Sequence, residues 1–355
     1  MSKLGIKKNT RSNAITYLIV IVAFVLFTIL SNGGVLGRKT VGLLVPACCY
    51  IVMAISLNLT VGILGELSLG HAGFMSVGAF AGVVASTGLS STITSAPLRL
   101  AVAMVIGALF AAIAGFLIGI PVLRLRGDYL AIVTLAFGEI IKEIISCLIV
   151  GTDEKGLHIV FNYNGAKTVD DLGLTPTGTA IIKGAQGATG TQTIASFTAG
   201  FVLIMVALVI VLNFVNSRSG RAVMAIRDNR IAAESVGINI TKYKMIAFTI
   251  SAAIAGAAGA LYGLNYSNIT SAKFDFNTSI LILVFVVLGG LGNIRGSIIS
   301  ATVLYVLPEA LREFADYRML VYAIVLILVM IATNSSKVRT LLTRLLPHKR
   351  EKEVD

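Results

Sequence analysis

Long apolar runs, repeated along almost the whole chain, constrain this sequence more than any other feature. They lie at roughly 14–31, 41–63, 68–87, 98–121, 129–150, 196–215, 244–264, 279–293, 297–311 and 319–333. A hydrocarbon core about 30 Å thick takes about 20 helical residues to cross. Only 13% of the residues are charged, against about 25% in soluble proteins. This composition excludes a soluble enzyme, a disordered chain and a disulfide-stapled secreted domain. No alternating strand pattern appears, so we predict an all-α polytopic membrane protein with about ten segments.

The positions of lysine and arginine predict the orientation of these segments. If each run crosses the membrane, a cytoplasmic N-terminus (1–13) places most of the 29 Lys and Arg residues on the cytoplasmic side. The same arrangement places the 217–243 loop and a basic tail (334–355) inside and the 151–195 loop outside. The outer loop is open to two interpretations, a solvated connector or a docking surface. The first run lacks a small-residue cleavage motif, so we expect an uncleaved anchor within a membrane domain at 14–333.

Two glycine-rich stretches interrupt the apolar runs, one in each half of the chain: Gly62–Gly73 and Leu288–Gly296. Irregular backbone at membrane depth is tolerated where it lines a cavity or is enclosed by protein. We therefore predict broken or re-entrant segments here. The candidate translocation-path residues are Glu66, Ser68, His71, Gly73, Glu139, Gly289, Gly290, Gly292 and Asn293. Other glycines, spaced four apart, predict close packing of helices: Gly78 and Gly82, Gly115 and Gly119, Gly259 and Gly263.

The sequence contains no motif typical of nucleotide binding or metal binding. The segment Gly37–Thr40 breaks the phosphate-loop pattern at Arg38, and no cysteine–histidine cluster has metal spacing. His71 has no second ligand nearby, which favours a packed neutral side chain over a metal ligand. Glu139 shares a helix face with Lys142, so it is either a structural ion pair or a pathway carboxylate. We predict no enzyme activity, no metal site and no cofactor bound by this chain.

The basic 217–243 loop has an amphipathic helical pattern. Ala222, Ile226 and Ala233 fall on one side of a short predicted helix, and Arg227 and Asp228 fall on the other. A glycine at 237 is placed to end that helix. Such a helix fits the groove of a cytosolic protein or lies on the lipid headgroups.

Motifs in this loop and elsewhere resemble a known family. The pattern Ala232-Ala233-x-x-x-Gly237 resembles the EAA loop of ABC importer permeases, although Ile231 stands where that motif has its glutamate. Together with the sequence at 220–229, it closely resembles the branched-chain amino-acid permease family (LivHM type). Further segments that share this resemblance lie at 67–74, 123–140 and 287–296. The resemblance runs from about residue 41 to residue 333.

The resemblance implies a permease subunit of a binding-protein-dependent importer in the bacterial plasma (inner) membrane, with both termini cytoplasmic. Its expected partners are a second, similar permease, two cytosolic ATP-binding subunits that hold ATP-Mg, an extracytoplasmic substrate-binding protein and the lipid membrane, but no nucleic acid. The implied ATPase-coupling residues are Gly220, Arg221, Ala222, Ile226, Arg227, Asp228, Ala232, Ala233, Glu234 and Gly237. Leucine, isoleucine and valine are the expected substrates. Related permeases carry urea, other amino acids, nucleosides or sugars, and a self-sufficient ion-coupled carrier is the alternative class.

Overall fold

The computed structural model describes most of the chain. The described residues are 3–33, 37–125, 127–153, 156–162, 165–175 and 178–311, together with 317, 320–321, 323–324 and 327. The predicted span at 319–333 lies mostly, and the basic tail at 334–355 wholly, outside them. Two compact units divide the chain, residues 1–301 and 302–355. The first unit holds both glycine-rich stretches and the 217–243 loop.

Helices dominate the described residues. They are α1 (Lys3–Asn32), α2 (Arg38–Asn58), α3 (His71–Gly88), α4 (Ala96–Val122), α5 (Asp128–Ser146), α6 (Phe197–Asn216), α7 (Arg218–Asp228), α8 (Arg230–Ser235), α9 (Ile240–Gly263), α10 (Phe276–Gly289) and α11 (Ile294–Ala310). A π-helical turn, Leu59–Leu64, continues α2. Short 3-10 turns lie at Val169–Leu172, Gly184–Gln186 and Ser271–Phe274.

Membrane-length apolar helices are present, but fewer are found than expected. Within the described part of the chain, 5 helical stretches are long and apolar enough to cross a membrane. They are Asn13–Ser31, Thr40–Leu64, Ala96–Val122, Phe197–Asn216 and Ile240–Gly263. The α10 helix is apolar but shorter. A polytopic helical architecture is confirmed, whereas the count of about ten segments is not.

The prediction of an all-α fold misses a five-stranded antiparallel sheet. Its strands are β1 (Leu148–Asp153), β2 (Gly156–Phe161), β3 (Thr179–Lys183), β4 (Ala188–Thr189) and β5 (Asn268–Ile269), in the order β2-β1-β3-β4-β5. The span predicted at 129–150 is helical only to Ser146, and Ile149 and Val150 are buried in β1. A short apolar run fits a helix end and a buried strand equally well, so the sequence pattern does not distinguish them.

Small residues bring α3, α4 and α9 together. A Cβ atom added to Gly78 would overlap the backbone of Gly256, and one added to Gly115 would overlap the side chain of Ala252. Gly259 lies equally close to the backbone of Met75. Packing of this kind lets helix backbones approach without a side chain between them. The packing role predicted for the spaced glycines is therefore confirmed at these positions.

Candidate functional site

The first glycine-rich stretch is a break between α2 and α3. The helix ends in the π-helical turn at Leu59–Leu64, and the backbone then turns at Gly65, whose φ is +80°. Residues 65–70 are not helical, and α3 begins at His71. Residues 59–70 are called the first break below. The predicted interruption is confirmed, and its π-helical turn is of a kind often found at functional sites.

The second glycine-rich stretch is a tight turn between α10 and α11. Gly290 and Gly292 have φ values of +90° and +79°, which favour glycine. The amide of Asn293 donates to the carbonyl of Gly290 at 3.0 Å, and its Oδ1 accepts from the amide of Gly296 at 3.3 Å. Gly289 lies so close to the backbone of Ser297 that no Cβ would fit. Residues 290–293 are called the second break.

The two breaks are in direct contact. Asn58, at the end of α2, accepts a hydrogen bond from the amide of Gly292 (2.8 Å) and donates one to Oγ of Ser297 (2.8 Å). A Cβ on Gly62 would overlap the backbone of Gly292. The Asn58 side chain is fully buried, and a buried amide is stable where both its donor and its acceptor are bonded. Asn58 therefore joins the two halves of the chain.

The 217–243 loop reaches the same place through Arg227. Its Nη1 donates to the carbonyl oxygen of Gly62 at 2.9 Å. A Cβ on Gly65 would lie 2.6 Å from Cγ of Arg227, so the arginine stem covers this glycine. The Nε and Nη2 atoms donate to Oδ1 of Asp228, at 3.1 and 2.9 Å. The structure thus brings Arg227 of the predicted coupling set against Gly292 and the first break.

A buried ion pair ties the first break to α9. Glu66 pairs with Lys244, and the two side chains are 14% and 5% exposed. Burying either charge alone would cost several kcal/mol. Each charge is therefore stabilised by the other. No local pattern predicts this pair, because the two residues are 178 positions apart.

Polar side chains from α2, the π-helical turn, α3 and α9 bond to one another next to the first break. Ser56 Oγ donates to the carbonyl of Ser251 at 2.6 Å and lies 2.8 Å from Nε2 of His71. Oγ1 of Thr60 donates to Oγ of Ser251 at 2.8 Å. His71 is buried and bonded to a serine, an arrangement that fits the packed histidine expected from the sequence.

The start of α3 is held by two neighbouring helices. The amide of Leu69 donates to Oγ1 of Thr134 on α5, and the amide of Ala72 donates to Oγ of Ser279 on α10, each at 3.1 Å. The Ala72 bond satisfies an amide that a helix N-terminus leaves without a partner, and the Leu69 bond fixes the residue before the N-cap. Ser68, a predicted path residue, is buried and its Oγ makes no hydrogen bond within the described part of the chain.

Glu139 lies on α5, and the cleft that it borders is also lined by Leu69 of the first break. It forms an ion pair with Lys142, one turn further along, and lines a small cleft together with Gly73 and Asp275. At Asp275 burial would raise the pKa, but hydrogen bonds from Thr278 and Asn277 outweigh it and hold the pKa below 3.8. The geometry agrees with the structural interpretation of Glu139, and its role in a pathway stays a prediction.

The 217–243 loop contains two helices where the pattern predicted one. Asn229 separates α7 from α8, and its Oδ1 accepts from the amide of Ala232 at 3.1 Å, which caps α8. Ile226, Ala233 and Ile240 form a small buried core. Gly237, with φ +82°, follows the end of α8, as predicted for a C-terminal glycine.

The remaining residues of the predicted coupling set differ in how far their side chains are exposed to solvent. Gly220 is buried against the carbonyl of Val215, Ala222 is half-buried, and Arg221 donates to the carbonyl of Asn216 at 2.9 Å. Ala232 and Glu234 are exposed on α8. Next to them, Ile231 is 81% and Val236 is 74% exposed. These are two large apolar side chains exposed within six residues of the loop, and exposed apolar groups of this kind are candidates for contact with another molecule.

Sequence reasoning missed the polar residues that hold the site together, and one signal was available. Ser56, Asn58 and Thr60 are spaced two apart inside an apolar run, and such side chains within membrane segments commonly form hydrogen bonds to a neighbouring helix. Ser251 and Lys244 carry no comparable signal, because their partners lie 178 or more residues away in the chain.

The fold and the site define a multi-pass membrane permease. A family model described as "Branched-chain amino acid transport system / permease component" matches residues 39–330. The chain belongs to this family, as the motifs predicted, and is a transport permease subunit rather than an enzyme.

Relatives of known function carry related names. The chain is 34% identical over 301 residues to the high-affinity branched-chain amino acid transport system permease protein LivM of Escherichia coli (strain K12). The match covers 83% of this chain and 69% of that relative. LivH of the same strain is 33% identical over 132 residues, which is 36% of this chain and 42% of LivH. The fructose import permease protein FruG of Bifidobacterium longum is 25% identical over 275 residues, 74% of this chain and 72% of FruG. No solved structure matches the chain.

Proposed function

We propose that this protein is the LivM-type permease subunit of an ABC importer for leucine, isoleucine and valine in a bacterial plasma (inner) membrane. The observation that carries the proposal is the 34% identity to LivM across 83% of the chain. The similarity to the fructose permease is weaker, at 25%, so branched-chain amino acids are favoured over sugars.

The proposed assembly contains a second, LivH-like permease, two cytosolic ATP-binding subunits and an extracytoplasmic substrate-binding protein. The similarity to both LivM and LivH supports a pair of related permeases. In this assembly ATP-Mg is held by the ATP-binding subunits, and this chain holds no cofactor. The exposed Ile231 on α8 and Val236 just after it support contact with a cytosolic subunit.

The proposed topology follows the basic residues. The N-terminus (1–13), the 217–243 loop and the tail (334–355) face the cytoplasm, and 14–333 forms the permease domain. The 151–195 loop faces outward and receives the binding protein. Support for the docking interpretation comes from β1–β4, which give this loop an ordered sheet instead of a featureless connector.

Within the proposed permease, the two breaks are the elements that open and close. Irregular backbone at membrane depth is maintained where it borders a cavity or an enclosed polar region. Glu66, Ser68, His71 and Gly292 lie in or beside the breaks, whereas Glu139 lies on α5 and borders a small cleft that Leu69 of the first break also lines. We therefore place the breaks, rather than Glu139, at the centre of the transport event.

Isolation of the assembly tests this proposal. The tagged chain is extracted from its native membrane in mild detergent, and the proteins that co-purify are identified by mass spectrometry. Recovery of a phosphate-loop ATPase together with a second permease is the expected result. Purification of the chain alone, still able to move solute in liposomes under an ion gradient, would contradict the importer and favour an ion-coupled carrier.

A further inference from the structure

We propose that Arg227 and Lys244 are positioning residues through which movement of the 217–243 loop is passed to both breaks. The proposal rests on the proposed function, since ATP-driven subunits supply the movement. It assigns a transmission role to two side chains and names the backbone segment that they move.

The two basic side chains hold the first break on both sides of its turning point. Arg227 binds the carbonyl of Gly62, three residues before Gly65, and Lys244 binds the carboxylate of Glu66, one residue after it. Arg227 lies near the end of α7, and Lys244 lies in the second turn of α9. Because Arg227 lies in the 217–243 loop and Lys244 directly follows it, a shift of this loop pulls on one or both contacts.

The carbonyl that Arg227 binds belongs to the end of a helix. The last carbonyls of a helix have no intrahelical partner, and the π-helical turn ends two residues after Gly62, at Leu64. The C-terminal end of a helix also carries partial negative charge, which favours a nearby cation. Arg227 thus satisfies a group that the break leaves open, and withdrawing it would expose that group again.

The first break can pass its movement to the second. Gly62 is in backbone contact with Gly292, and Asn58 bonds Gly292 and Ser297 at the same point. Both Gly65 and Gly292 have positive φ values. A displacement of Gly62 would therefore act directly on the turn between α10 and α11.

The guanidinium fork suits this role better than a lysine would. Arg227 bonds Asp228 with two nitrogens while its third reaches Gly62. A lysine ammonium carries the same charge but not the planar fork that makes these bonds together. Arg221, on the same helix α7, bonds only the nearby carbonyl of Asn216 among the described residues.

The test measures ATP hydrolysis and amino-acid uptake by the complete importer in proteoliposomes. Wild type is compared with Arg227→Gln, Arg227→Lys and the control Arg124→Gln, which removes an exposed arginine outside the 217–243 loop. Arg227 is 38% exposed, and the Tm and the bound ATPase of each variant are measured alongside so that a folding or docking defect is recognised. We expect Arg227→Gln to hydrolyse ATP within about twofold of wild type but to lose about tenfold in leucine uptake. The lysine variant should fall between, and Arg124→Gln should match wild type.

A second pair of variants tests the other contact. Exchanging the charges singly, by Lys244→Glu or Glu66→Lys, should uncouple hydrolysis from uptake, and the double exchange should restore at least part of the uptake. Unchanged uptake in Arg227→Gln would overturn the proposal. So would a proportional loss of uptake, hydrolysis and bound ATPase, because that result would make Arg227 part of the docking surface only. Failure of the proposed function itself would be seen separately, as a wild-type assembly without ATP-driven uptake.

Discussion

Single buried residues decide how close the two glycine-rich breaks approach. Gly62 is the clearest case, since its backbone lies against Gly292 and leaves no room for a side chain. Asn58 fixes the same contact by bonding both the turn and Ser297. The sequence predicted that glycines here would interrupt helices, but it did not predict which glycine meets which. The contact is fixed by the bond between Asn58 and Gly292, which are 234 residues apart, and local spacing does not predict a contact over that distance.

At this scale we predict that Gly62→Ala weakens both folding and transport. The added methyl group overlaps Asn58 and Gly292, so the breaks must separate, at a cost of about 1–3 kcal/mol for overpacking. Gly42→Ala on α2 is the matched control, because its Cβ meets nothing within 4 Å. Thermal unfolding in detergent should show a lower Tm for Gly62→Ala and an unchanged or higher Tm for Gly42→Ala. Equal Tm values for the two variants would contradict the close contact.

At the scale of elements, the amphipathic pattern of the 217–243 loop was a sound guide to burial. Ile226 and Ala233 pack into one small core, and Gly237 follows the end of α8. The division into α7 and α8 was missed because Asn229 is compatible with a helix interior as well as with a cap.

The sheet was missed because its pairing is not local. The strands β4 and β5 are only 2 residues each and depend on pairing with distant strands.

The exposed Ile231 on α8 leads to a prediction about assembly with the ATP-binding subunit. Ile231→Asp places a charge in an apolar contact surface, so we expect loss of most co-purified ATPase in a detergent pull-down. Because Ile231 is 81% exposed, the variant should keep the Tm of the isolated chain within about 1–2 °C, as surface substitutions usually do. Thr241→Asp, at an exposed site in the first turn of α9, is the charge control and should retain the ATPase. Full retention by Ile231→Asp would place the docking surface elsewhere.

Across the whole molecule, the sequence predicts the membrane class and the two interruptions well, because both depend on local composition. Family membership also followed from local motifs and agrees with the matched region, 39–330. The convergence of Arg227, Glu66 and Gly292 was not predictable from spacing, since each residue belongs to a separate helix or loop. Through these contacts, movement of the cytosolic loop in the proposed importer can be transmitted to the two breaks in the membrane domain.

The most direct test of the whole account is uptake of labelled leucine by the purified importer in proteoliposomes, with binding protein on the outer side. We predict accumulation that requires ATP-Mg on the side of the 217–243 loop and is competed by isoleucine and valine. A matched preparation with a hydrolysis-deficient ATP-binding subunit should show no accumulation. Uptake driven by an ion gradient without ATP, or ATP-driven uptake that leucine, isoleucine and valine do not compete, would contradict the account.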